Sequence, residues 1–147
     1  GQPETALQQS RELIDAVERA TPGAETSAQE IEDVRVRALT SRGLAQLDLG
    51  RIAEARADLQ TVVDLSPSSA NAYVNLARVA AVDNPNEAIG LYEKALALDK
   101  RNFDALTGLT GVLKQQRNFA AAHAGVDRAF AENGGQKAFQ PALHYLK

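Results

Sequence analysis

The chain has 147 residues, 44% of them hydrophobic and 24% charged, the size and balance of one folded domain. Its net charge of −3 is spread as eight acids against three bases in residues 1–35, eight against eight in 36–102, and three against five in 103–147, so it offers neither a basic stripe for a nucleic-acid backbone nor a polybasic membrane segment. Cysteine is absent, which excludes disulfides and thiolate metal sites and leaves cytoplasm and periplasm both open. No stretch reaches the roughly 18 apolar residues of a membrane span, and no signal peptide opens the sequence. Methionine is missing even at the start, so the sequence reads as a piece excised from a longer protein, with Gly1 left by a tag. Its alanine-rich, methionine-free composition suggests a bacterial source.

Apolar spacing predicts helices throughout. A first one near 4–20 carries the stripe Leu7, Leu13, Ile14 and Val17. Ser27-x-x-Glu30 is a capping box that opens a second helix, 28–49, closed by Gly50. A third, 53–65, stops before Pro67. Further helices follow over 70–82, 85–99, 103–116 and 118–132. Asn84-Pro85-x-Glu87 supplies a cap, a first-turn proline and an acid for the fifth, and Gly134 closes the seventh. A last helix starts at Pro141.

An internal period underlies these helices. Val36–Ser69, Ala70–Asn102 and Phe103–Gln136 align as units of 34, 33 and 34 residues. Their fourth places hold Leu39, Tyr73 and Leu106, and their eighth Gly43, Ala77 and Thr110. Alanine fills the twentieth (Ala55, Ala88, Ala122), once a single deletion before Ala88 is allowed. Leu59, Tyr92 and Val126 take the twenty-fourth, and Val62, Ala95 and Ala129 the twenty-seventh. Small residues let two helices approach, while larger ones three and four places away interdigitate beside them.

The pattern resembles the tetratricopeptide repeat. The residues that carry the likeness are Arg42-Gly43-Leu44-Ala45 through Leu49-Gly50-Arg51 to Ala55, the closing Leu65-Ser66-Pro67, Asn75-Leu76-Ala77, and Tyr92-Glu93-Lys94-Ala95-Leu96-Ala97-Leu98-Asp99. The sequence departs from the family at Arg42 and Gln46, where apolar residues are usual. It departs again at Lys100 and Gly134, which stand in place of the closing proline. The resemblance implies an all-α fold, an α-solenoid of antiparallel helical hairpins in a right-handed superhelix. It implies one domain over 1–147: a flanking segment 1–35, repeats 36–69, 70–102 and 103–136, and a truncated or capping helix at 137–147.

No constellation for catalysis or for a cofactor emerges. His123 and His144 lack carboxylate or cysteine companions at ligand spacing. Gly108-x-x-Gly111 lies on a predicted helix without the lysine of a phosphate loop. Ser66, Ser68 and Ser69 cluster at a turn, where capping accounts for them. The reading is therefore a non-catalytic scaffold with no cofactor and no metal. Its partner is a protein or peptide, with no nucleic acid and no membrane insertion. Self-association through the terminal helices, or service as the substrate-recruiting arm of an enzyme, are the alternatives.

In the family the first helix of each repeat lines a concave groove, so the resemblance implies partner-binding positions. These are Arg37, Thr40, Leu44 and Leu47 in the first repeat, Asn71, Val74, Asn75 and Arg78 in the second, and Lys114 in the third. Gly108 and Gly111 are expected to leave room there for a bulky ligand side chain.

Overall fold

The computed structural model describes residues 2–23 and 27–132, and within them every regular element is an α-helix. In chain order these are α1 (Gln2–Arg19), α2 (Ala28–Asp48), α3 (Ile52–Leu65), α4 (Ala70–Asp83), α5 (Pro85–Leu98), α6 (Phe103–Gln115) and α7 (Phe119–Glu132). Each end lies within two residues of its expected place. The helix expected from Pro141, the stop at Gly134 and the position of His144 fall outside the described residues. Two compact units are formed, Gly1–Pro67 and Ser68–Lys147, divided in the turn between α3 and α4.

Capping explains most of the boundaries. Before α2, the Ser27 hydroxyl accepts from the Glu30 amide at 3.2 Å, and the Glu30 carboxylate accepts from the Ser27 amide at 2.7 Å. Donation from the Ser27 amide, and after it from the Ser27 hydroxyl at 2.8 Å, holds the Glu30 carboxyl below the usual carboxylate range. Side chains of Ser69, Asn84, Asn102 and Asn118 accept from the first-turn amides of α4, α5, α6 and α7.

The turns inside the first and third repeats are the same motif. Gly50 donates to the Leu47 carbonyl and Arg51 to that of Gln46, at 2.9 and 2.8 Å. Arg117 and Asn118 repeat this pair toward Lys114 and Leu113, again at 2.9 and 2.8 Å. The left-handed residue of the motif is Gly50 (φ 72°) in one turn and Arg117 (φ 59°) in the other. Between α4 and α5 the turn shrinks to Asn84 alone, which is where the middle repeat loses its residue.

In unit 1, α2 packs against both α1 and α3. α1 contributes Leu7 and Ile14, α2 Ala38 and Leu39, and α3 Ala55, Leu59, Val62 and Val63. The closest approach is at Gly43, where a Cβ would stand 2.7 Å from Leu59 Cγ. In unit 2, α4 pairs with α5, α6 lies against both, and α7 rests on α6. Ala77, Ala88, Ala95, Leu106, Ala122 and Val126 are wholly removed from solvent there. The conserved spacing of the three repeats is thus the spacing of the core.

Two substitutions test this account by urea denaturation. Gly43→Ala should destabilise by about 1–2 kcal/mol, the strain of displacing the buried Leu59 outweighing alanine's better helix propensity. Arg117→Gly should stabilise by about 1 kcal/mol, because glycine relieves the left-handed backbone.

Candidate functional site

The predicted positions of unit 1 lie on α2. Arg37 is exposed and its Nε donates to the Asp33 carbonyl at 3.3 Å. Thr40 is half-buried, its hydroxyl donating to the Val36 carbonyl one turn back at 2.8 Å. Leu44 and Leu47 are half-buried.

Two of the departures from the family pattern, Arg42 and Gln46, sit on the same helix. Arg42 is no loose substitute for an apolar residue. Its Nε and Nη2 grip both oxygens of Asp58 on α3, each at 2.7 Å, with the Arg42 side chain 24% exposed and that of Asp58 10%. The bond to Asp58 pushes the guanidinium's pKa further up; partial burial opposes the shift, and Glu18 and Asp15 of α1 add to it. Gln46 is buried, and its Oε1 finds no hydrogen bond among the described residues.

In unit 2, α4 carries Asn71, Val74, Asn75 and Arg78. Asn71 is exposed, and its Oδ1 accepts from Asn102 Nδ2 at 2.9 Å. The Oδ1 of Asn102 in turn caps Ala105 at 2.9 Å, so Asn71 is tied to the start of α6. Val74 is buried, Asn75 half-buried and Arg78 exposed. Asn75 and Arg78, three residues apart, share one face of α4. Val82, one turn beyond Arg78, is 59% exposed. Lys114 is half-buried on α6.

The expectation for Gly108 is overturned. The space a side chain there would take is filled by Tyr92 of α5, whose ring and hydroxyl press against the glycine. Gly108 is small so that α5 and α6 can close, and it leaves no slot for a ligand. Gly111 does face open space. Tyr92 was legible as a core residue from its repeat place. Its approach to Gly108 depends on the register between α5 and α6, which no local pattern encodes. Asn102 was within reach of sequence reasoning, since it immediately precedes the predicted start of α6.

A concavity of about 550 Å³ lies in unit 2. Leu96 of α5 and Leu109 and Leu113 of α6 line it, Ala121, Ala124 and Gly125 of α7 leave it open, and Glu93, Lys100 and Arg128 are its charged residues. None of the predicted binding positions borders it. His123 is exposed on α7. Among the described residues no three potential metal ligands gather, and no helix is long and apolar enough to cross a membrane.

Helical hairpins closed at small residues, repeated at the period read from the sequence, define a protein of the tetratricopeptide-repeat class, a fold of protein–protein interaction scaffolds that are generally non-catalytic. The chain belongs to the family described as the bacterial transcriptional activator domain, whose model matches residues 4–108, and a tetratricopeptide-repeat model matches residues 80–144. It is 35% identical over 82 residues to the type IV pilus assembly protein PilF of Pseudomonas aeruginosa, a match covering 55% of this chain and 32% of that protein. It is 36% identical over 91 residues to cellulose synthase operon protein C of Xanthomonas axonopodis pv. citri, covering 59% of this chain and 6% of the relative. The chain thus spans about a third or less of either relative. Among solved structures it resembles YrrB, described as a TPR protein with an unusual peptide-binding site. The TM-score is 0.62 at 19% identity, over 80% of this chain and 64% of that one.

The Arg42–Asp58 pair gives a direct test of unit 1. Asp58→Ala strands a partly buried guanidinium and should cost about 2–3 kcal/mol in chemical denaturation. The double variant Arg42→Met, Asp58→Leu should recover most of that loss, because the apolar pair needs no desolvated charge.

Proposed function

We propose that the chain is a non-catalytic scaffold that holds an extended peptide or a partner helix against the first helices of its repeats. In unit 2 the binding face is carried by α4 and α6, with Asn71, Asn75, Arg78 and Lys114 as polar anchors over the buried Val74. In unit 1 the corresponding face of α2 offers Arg37 and Thr40 beside Leu44 and Leu47.

The observation that carries this reading is on α4. Asn75, Arg78 and the exposed Val82 follow one another along a single helix whose other side is fully committed to the core through Ala72, Tyr73, Leu76, Val79 and Ala80. Amides pair with a peptide backbone, a guanidinium with a carboxylate or carbonyl, and an exposed valine with an apolar side chain. The peptide-binding site named for YrrB supports the same use of the fold. Within a bacterial transcriptional activator, such a module would serve as the protein-binding part, since residues 36–102 balance eight acids with eight bases.

Peptides selected from a random twelve-residue display library on the immobilised chain supply the ligands for a test by fluorescence anisotropy. Asn75→Ala and Arg78→Ala should each weaken binding by about 1–3 kcal/mol, the range for desolvated anchors. Glu93→Ala on α5 should leave it unchanged. The opposite result, binding lost with Glu93 and indifferent to Asn75 and Arg78, would refute the assignment of the face.

A further inference from the structure

The concavity of unit 2 has the form of a seat for one more helix. Gln116, just past the end of α6, donates to Asn86 in the first turn of α5 at 3.0 Å, so α5 and α6 run in opposite directions. The short turn at 116–118 reverses the chain again, and α7 therefore runs the same way as α5. The α5 border of the concavity, from Glu93 to Lys100, and its α7 border, from Ala121 to Arg128, both keep the spacing i, i+3, i+4, i+7. Each border is thus one face of a helix, about 10 Å long. Between them Leu109 and Leu113 of α6 form the floor. The α7 wall is low, since a Cβ added at Gly125 would meet nothing within 4 Å. Two such walls over a leucine floor accept the face of an amphipathic helix.

Unit 1 carries a face of that description. Leu13 of α1 is 49% exposed, the large apolar side chain that unit 1 leaves uncovered among the described residues. Gln9, Glu12, Leu13 and Ala16 are all exposed and repeat the same spacing along α1. The charges are complementary as well. Residues 1–35 carry eight acids against three bases, and residues 103–147 three against five. Locally, Glu12 adjoins Leu13, while Lys100 and Arg128 close the two walls of the groove and outnumber Glu93.

We propose that the groove between α5 and α7 receives α1 of a second copy of this chain. Leu13 of the incoming helix lies over Leu109 and Leu113, and Glu12 turns toward Lys100 and Arg128. The two copies use different surfaces, so each pairing leaves one groove and one α1 face to be filled. Such a contact extends into a chain or closes into a ring. It involves none of the residues assigned to peptide binding and stands or falls apart from that reading.

Sedimentation velocity on the whole chain reads this association directly. The parent should pass from monomer to dimers or larger species as its concentration rises. Leu13→Glu spoils the helix face at an exposed position, and Gly125→Glu spoils the groove where a side chain has room. Each variant alone should associate at least about tenfold more weakly, the loss expected at a central apolar contact. Glu12→Lys, also exposed, should weaken association about tenfold by setting like charges against each other. Mixed in equal amounts, Leu13→Glu and Gly125→Glu should form a one-to-one dimer and nothing larger. The intact α1 of one then meets the intact groove of the other, which also shows that both variants fold. A parent that stays monomeric at every concentration overturns the proposal. So does parent-like association of any of the three variants, or a mixture that remains monomeric.

Discussion

Everything in these repeats depends on how near two helices can come. Ala55, Ala88 and Ala122 recur at one place in three repeats, and none of them retains any exposed surface. One turn further along the same helices stand Leu59, Tyr92 and Val126, which need depth to be covered. A methyl group at the contact keeps helix axes within the 8–10 Å at which ridges and grooves engage, and any larger residue would hold them apart. Where even a methyl is too much, the chain uses glycine: Gly43 against Leu59 in unit 1 and Gly108 against Tyr92 in unit 2. Low aromatic content and abundant alanine are thus consequences of a fold that gains its burial through proximity rather than bulk.

The sequence exposed this layer well because it repeats. Three copies of the same spacing separate the packing residues from their neighbours, and Ser or Asn before α2, α4, α5, α6 and α7 supplies the side-chain oxygen that starts each of them. What stayed hidden was whatever depends on one helix's register against another. Arg42 read as a flaw in the pattern because its partner Asp58 is sixteen residues away on α3. Gly108 read as empty space because the residue that fills it belongs to α5. Arg117 gave no sign of its left-handed backbone, which glycine announces at the matching place in the first repeat.

The polar residues divide by whether local structure already uses them. Thr40 and Asn71 are engaged by neighbouring atoms, the first by its own helix and the second by Asn102. Asn75 and Arg78 rise from a helix whose opposite side is sealed, and their distribution is legible from spacing alone. Sequence reasoning found those anchors on α4 yet could not rank them, since local hydrogen bonding distinguishes an occupied amide from one left for a partner.

Asn84 closes α4 and opens α5 as a single residue, donating its amide to Ala80 and accepting at its side chain from Glu87. The other two repeats spread those duties over three residues, 49–51 and 116–118. Natural variation and protein engineering should therefore meet different permissiveness along the chain. Extra residues, tags or protease sites can be accepted after Gly50 or Arg117, where turn and cap are separate. At Asn84 the smallest insertion uncaps two helices together, which makes the tightest hairpin of unit 2 its least extensible point.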